Sequence, residues 1–103
     1  MENNDRKTKG FGKNTEYRMY LVRKRNEVGL SINKLARLTY TQRQQYYRFE
    51  KGITGGKVSL MYFATIVLAL GFNLEEAYYL EKQYQEFMFV KYGKLYWLEE
   101  RNS

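Results

Sequence analysis

Along most of the 103-residue chain, apolar positions recur at helical rather than strand spacing. In "TEYRMYLVRKRNEV", residues 15–28, Tyr17, Tyr20, Leu21 and Val28 form a loose stripe, with Thr15 as the expected N-cap. Lys24 interrupts that stripe, and its stem is expected to lie along the core while its amine reaches outward. Gly29 stops this helix and Ser31 caps a second, whose Leu35, Ala36 and Leu38 are expected to face inward. Thr41 is expected to open a third helix, with Gln44 completing a capping box. Tyr46 and Phe49, three apart, then point into the core and leave the residues between them facing outward.

Residues 52–58, "GITGGKV", read as a glycine-rich loop. "SLMYFATIVLAL" reads as a fourth, largely buried helix that ends at Gly71. Asn73 caps a fifth, with Glu75 and Glu76 in its first turn, where the helix dipole favours negative charge. The stretch "EFMFVKYGKLYWLEE", residues 86–100, reads two ways. A helix offers Phe87, Met88, Leu95 and Leu98 but places Gly93 inside; two strands offer aromatic and β-branched runs around a Gly93-Lys94 turn. The β-hairpin is the preferred reading, with the helix as its alternative. The chain thus divides into a polar, flexible basic arm (1–14), a helical domain (15–82) and an aromatic packing or dimerisation extension (83–103).

Composition narrows the function. There is no cysteine and no histidine, which removes disulfides, thiolate chemistry, and the commonest general base and metal ligand together. The glycines of "GFG" and "GITGG" lack the strand–loop–helix setting of a phosphate cradle. An enzyme is not expected, nor is a metal or cofactor. The run "VSLMYFATIVLALGF" is too short to span a bilayer comfortably, and "MENNDRKTKGFGKN" lacks the apolar region of a signal peptide. A cytoplasmic location with no membrane partner is expected. Charge then adds an asymmetry: residues 1–57 hold 14 Lys/Arg against 5 Asp/Glu, whereas residues 58–103 hold 4 against 6. A basic front half suggests a polyanionic partner, and an aromatic back half suggests packing or pairing.

Within the basic half, "GLSINKLARLTYTQRQQYYRFEKG", residues 29–52, matches a helix-turn-helix: two short helices, a tight turn, and a second helix polar on its outer face. The residues Gly29-Leu30-Ser31, Leu35-Ala36, Arg43, Tyr46 and Arg48-Phe49-Glu50-Lys51-Gly52 stand at the spacing of a known family. Ser59-Leu60, Ile66, Ala69-Leu70-Gly71 and Leu74-Glu75-Glu76 continue the match. Over roughly residues 17–78 the chain resembles the lambda-repressor-like helix-turn-helix regulators, the Cro/C1 or Xre type. The resemblance implies a mainly α, five-helix domain that lays its third helix in the major groove of double-stranded DNA. It implies Arg43, Gln44 and Tyr47 as base-reading residues, with Gln45 and Arg48 close behind. The chemistry agrees, since arginine bonds guanine in bidentate fashion and glutamine can do so to adenine. A capping-box role for Gln44 would compete with base reading.

Phosphate contacts are expected from Ser31 and Asn33 at the start of helix two, from Lys34 and Arg37 on it, and from Thr54, Gly55, Gly56 and Lys57 in the following loop. Arg6, Lys7, Lys9 and Lys13 give the arm the means to follow a duplex or enter its minor groove. Several positions depart from the family. Ile32 replaces a frequent DNA-contacting glutamine, and Val58 stands where the longer loop lacks its usual proline. Tyr40 replaces the usual turn glycine; tyrosine is strained at positive φ, which predicts a different turn. Helix four carries Met61, Tyr62 and Leu68 where the family tends to be polar, and an apolar second face needs a cover. Met61, Leu68, Phe87, Phe89, Tyr92, Leu95 and Trp97 are the expected packing and dimer residues, and a homodimer is expected. The implied role is sequence-specific DNA binding as a transcriptional regulator, a repressor. The alternatives are a DNA accessory factor of a mobile element and a protein-directed antitoxin or inhibitor on the same scaffold.

Overall fold

A computed structural model describes residues 15–53 and 59–93, which are mainly helical. Five helices follow one another: α1 Met19–Val28, α2 Ile32–Leu38, α3 Arg43–Lys51, α4 Leu60–Ala69 and α5 Leu74–Tyr92. Local signals set most of the boundaries. Ser31 Oγ accepts the Lys34 N–H at 3.0 Å, Ser59 Oγ accepts that of Tyr62 at 2.9 Å, and Asn73 Oδ1 accepts that of Glu76 at 3.1 Å. Each satisfies an amide that the first helical turn leaves unpaired. The core gathers Leu21, Leu35, Ala36, Tyr46, Phe49, Phe63, Ile66, Val67, Leu70, Phe72 and Ala77 from all five helices and the α4–α5 corner. Phe49 of α3 meets Tyr62 of α4 edge to face at 5.3 Å, an arrangement aromatic rings favour. Lys24 lies as its position predicts, half-buried beside the Phe72 ring, 5.1 Å from its centre, with its ammonium 3.9 Å from the exposed Glu27 carboxylate.

The chain before α1 departs from expectation. Helix α1 starts at Met19, so Thr15 is not its cap, and Arg18 occupies the N-cap position with no side-chain cap bond. Residues 15–18 form instead a strap across the C-terminal end of α3. The Arg18 backbone N–H donates to the Glu50 carbonyl at 2.8 Å, and its Nη1 donates to the Phe49 carbonyl at 2.7 Å. The Glu50 carbonyl, left open at the last turn of α3, is thereby satisfied from outside the helix, and the Phe49 carbonyl, which already accepts the Gly52 N–H, gains a second donor. The strap fits because residue 52 is glycine: a Cβ there would sit 2.2 Å from the Glu16 carbonyl oxygen.

Buried charge ties the strap to α5. Arg18 Nε and Nη2 reach Glu81 at 3.0 and 2.9 Å, and Gln85 Nε2 donates to the same carboxylate at 2.8 Å, as does the Tyr20 hydroxyl. The guanidinium lies between the rings of Phe49 and Tyr84, at 4.2 and 4.5 Å from their centres. Burial works against its charged form, but Glu81 more than offsets this and raises the Arg18 pKa above its ordinary value. A second fork, Arg25 Nε and Nη2 on Glu50 at 2.9 and 2.8 Å, fastens α1 to α3, and the Tyr46 hydroxyl donates to that carboxylate too.

Among the described residues, the first strand expected of the C-terminal hairpin is helical instead. Residues 86–92 continue α5 as one helix of 19 residues, so the boundary placed between residues 82 and 83 falls inside it. Gly93 is the C-cap in the left-handed conformation, φ 75°, and its N–H donates to the Phe89 carbonyl. The buried stripe of α5 is Ala77, Glu81, Gln85 and Met88, at helical spacing but half polar. Its polar half serves Arg18: Glu81 pairs with the guanidinium and Gln85 donates to the same carboxylate, so apolar periodicity does not mark this stripe. Leu95 and Trp97 lie outside the described residues.

Smaller corrections follow the same physics. Leu38 is 54% exposed rather than inward-facing, and Tyr17 and Val28 of the first stripe are nearly half exposed. Helix α4 is buried on one face only: Phe63, Ile66 and Val67 are inside, whereas Leu60, Met61 and Leu68 are exposed. The N-cap of α3 is Gln42, without a side-chain cap bond, so no capping box joins Thr41 to Gln44. Thr41 Oγ1 donates instead to the Thr39 carbonyl at 3.2 Å. Tyr40 does adopt the left-handed conformation, with φ 55°, so the tyrosine has not displaced the glycine-like turn. No single helix among the described residues is long and apolar enough to cross a membrane.

Candidate nucleic-acid interface

Helix α3 is held from behind. Tyr46, Phe49 and Glu50 are buried, Glu50 is clasped by Arg25, and the last carbonyls are taken by Arg18. Successive helical residues turn by about 100°, so Gln44, Arg48 and Lys51 project away from that buried side. Arg43 and Tyr47 lie on one flank and Gln45 on the other. Arg43, Gln44 and Gln45 are exposed in the first turn, beside backbone amides that the Gln42 side chain does not cap. With the capping box absent, the Gln44 amide is free of the competing role.

The structure does not treat the five expected base readers alike. Arg43, Gln44 and Gln45 come together at the open N-terminal end of α3. Tyr47 is half-buried, with the Arg43 guanidinium 5.9 Å from its ring centre. Arg48 is exposed, but its Nη2 donates to the Ile53 carbonyl at 3.3 Å, which turns it toward the C-terminal end of the helix. On α2, Ser31, Asn33, Lys34 and Arg37 are exposed, and the Ser31 hydroxyl oxygen is already engaged as the cap. Thr54, Gly55, Gly56, Lys57, and the arm residues Arg6, Lys7, Lys9 and Lys13 lie outside the described residues.

Charge is distributed unevenly over this surface. Among the described residues, ion pairs occupy Arg18, Lys24, Arg25, Lys82 and Lys91. None involves Lys34, Arg37, Arg43, Arg48 or Lys51, the basic residues of α2 and α3. The one carboxylate on these two helices, Glu50, is buried and turned toward Arg25. The outer surface of α2 and α3 is therefore cationic without internal neutralisation, which is the electrostatic condition for attracting a polyanion.

No known protein family, curated protein or solved structure matches the chain.

Two residues of this surface were not anticipated. Lys51 stands one turn beyond Tyr47 and two beyond Arg43, a placement the helix period carries once α3 is drawn through to Gly52. Its ammonium donates to the Tyr17 hydroxyl at 2.9 Å. No local sequence signal marks Tyr17, because the strap that brings it there depends on Arg18 and Glu81. Met61 is 73% exposed, and Leu68, Phe87 and Phe89 are about half exposed, whereas Tyr92 is half-buried with its hydroxyl donating to Glu16 Oε2 at 2.7 Å. No group of three or more metal-ligating side chains occurs among the described residues.

Proposed function

We propose that the chain binds double-stranded DNA sequence-specifically, as a transcriptional regulator of the lambda-repressor-like helix-turn-helix type. In this reading α2 and α3 are the helix-turn-helix, and α3 enters the major groove with Arg43, Gln44 and Gln45 leading. The observation that carries it is the unneutralised cationic surface of α2 and α3, together with long hydrogen-bonding side chains exposed at the open end of α3. Lys34 and Arg37 on α2 take phosphates of the flanking backbone, which fix register without reading sequence.

The reading includes a homodimer. Leu60, Met61 and Leu68 on α4 and Phe87, Phe89 and Val90 on α5 are exposed apolar side chains that a second copy would cover. The molecule measures 38 × 32 × 21 Å, so two copies side by side can set equivalent helices one DNA turn, about 34–36 Å, apart.

Selection from a random duplex pool, with the winner compared against unselected DNA at two salt concentrations, tests the reading. Enrichment of an inverted repeat with half-sites one turn apart is the expected result. A single site or a direct repeat would keep DNA binding but favour an accessory role on a mobile element. Absence of enrichment, with affinity that vanishes as salt rises, would sink sequence-specific binding and leave a protein partner.

A further inference from the structure

The C-terminal end of α3 carries a cluster that the base-reading residues do not explain. Lys51 Nζ donates to the Tyr17 hydroxyl at 2.9 Å and lies 4.7 Å from the centre of the Tyr17 ring and 5.5 Å from that of Tyr47. The hydrogen bond to Tyr17 holds the Lys51 ammonium above the ordinary lysine range, against some desolvation, and the Tyr47 hydroxyl adds to the effect. No carboxylate pairs with this ammonium among the described residues. A phenol oxygen that accepts from an ammonium must turn its own O–H elsewhere, and the Tyr17 O–H meets no acceptor among the described residues. The ammonium itself has three N–H donors and no acceptor. The cluster therefore presents several donors, one positive charge and no exposed acceptor that is not already facing a cation.

We infer that Tyr17, Lys51 and Tyr47 form a preorganised cradle for a backbone phosphodiester of the DNA that α3 reads. The inference rests on the DNA-binding reading, extends it to Tyr17 and Lys51 outside the base-reading set, and moves Tyr47 from a base to the backbone. Arg43 and Lys51 are eight positions apart on one helix, about 12 Å along its axis at roughly 1.5 Å per residue. The major groove is about 12 Å wide. With the first turn of α3 at the base edges, its last turn stands at the wall of the groove, where the phosphates are. Ordering matters as well as position. A free lysine must give up side-chain freedom on meeting a phosphate, whereas two tyrosines already hold Lys51 in place. The strap that supplies Tyr17 is anchored at the very next residue, where Arg18 pairs with Glu81 of α5 in the interior.

The test uses the full chain with the duplex selected from the random pool. Lys51→Gln should lower the slope of log affinity against log salt by about 0.9. It should weaken selected and unselected duplex by the same factor, on the order of tenfold at low salt. Tyr17→Phe keeps the ring and removes the donor, so it should weaken both duplexes with the slope unchanged. Single neutral methylphosphonates, placed one at a time through the site, locate the contact. One position should weaken the wild-type protein and leave Lys51→Gln indifferent. Specific binding that persists while Lys51→Gln keeps the wild-type slope and methylphosphonate pattern overturns the cradle alone. A loss confined to the selected duplex would make Lys51 a base reader and would also overturn it. Failure of the wild-type chain to bind any duplex removes the DNA-binding reading and the cradle together.

Discussion

The Arg18 guanidinium and the Glu81 carboxylate meet at 2.9 Å with both side chains withdrawn from solvent, 2% and 0% exposed. Such a pair is poor evidence for stability by itself, because removing two charges from water costs about as much as their attraction returns. Its effect here is positional. Arg18 also holds the last turn of α3, its side chain donating to the Phe49 carbonyl and its backbone N–H to that of Glu50, so one residue joins the strap, α3 and α5. The orientation of α3 is thereby fixed from the side opposite its exposed residues.

Removing one partner should cost far more than removing both. Glu81→Leu leaves the Arg18 charge buried without compensation, and a loss of about 3–5 kcal/mol is expected. In the double variant Arg18→Leu, Glu81→Leu, only part of that loss should return, because the Phe49 carbonyl, the Tyr20 hydroxyl and the Gln85 amide each lose a partner. Urea unfolding of the two single variants and the double variant measures the coupling. Strictly additive losses would show that the two side chains do not act as a unit.

Glu16 gives the fold a pH dependence on the acid side. Hydrogen bonds from Lys91 and Tyr92, the first the larger, hold its carboxyl below the ordinary value of 4.5. A depressed folded-state pKa contributes stability that is fully present above the unfolded value and is lost as pH falls through the folded one. Glu16→Gln should therefore be less stable than the wild type near neutrality, and the gap should close as pH drops below 4.5. Thermal unfolding of both proteins across that range measures it. A gap that does not change with pH would place the contribution of Glu16 elsewhere than in its charge.

Tyr40 offers the opposite kind of change, one that should stabilise. Its side chain is 98% exposed, and its backbone sits at φ 55°. The left-handed conformation costs an ordinary L-residue roughly 1–2 kcal/mol. Glycine escapes that cost but loses roughly 0.5–1 kcal/mol in chain entropy. Tyr40→Gly should gain up to about 1.5 kcal/mol on that balance, whereas Tyr40→Ala, which keeps a Cβ, should stay within about 0.5 kcal/mol of wild type. A clear loss in both variants would mean that the tyrosine ring stabilises the turn despite its exposure.

Where apolar period and capping chemistry act locally, the sequence was legible. The caps at Ser31 and Asn73, the inward Tyr46 and Phe49, and the outward Gln44 and Gln45 all follow from spacing within a single helix. What escaped depends on contacts between distant segments. Arg18 reads as an ordinary surface arginine until Glu81, 63 positions away, is beside it. Glu81 and Gln85 then read as the polar face of α5, so the helix loses its apparent stripe and the aromatic run at residues 87–92 resembles a strand. Thr15 failed as a cap for the same reason, since the strap's hydrogen bonds to α3 outweigh a local helix start. At the candidate interface, the exposed residues of α3 were readable, but the Tyr17–Lys51 contact was not.

Arg43 provides the sharpest test of the proposal that α3 reads DNA. It is exposed in the first turn, has no carboxylate partner among the described residues, and only leans on the Tyr47 ring at 5.9 Å. If its guanidinium forks onto a guanine, Arg43→Ala should lose about 1–3 kcal/mol on the selected duplex, roughly five- to 150-fold. Binding to unselected DNA should fall only slightly, by the loss of one charge. Arg43→Lys separates geometry from charge: lysine keeps the cation but lacks the planar fork. It should bind unselected DNA as the wild type does and still lose most of the discrimination at one base pair. Titrations of both variants on the selected duplex, on single-base variants of it and on unselected DNA decide the matter. Equal losses on every duplex for Arg43→Ala, with full recovery in Arg43→Lys, would assign Arg43 to a phosphate and move base reading to Gln44 and Gln45.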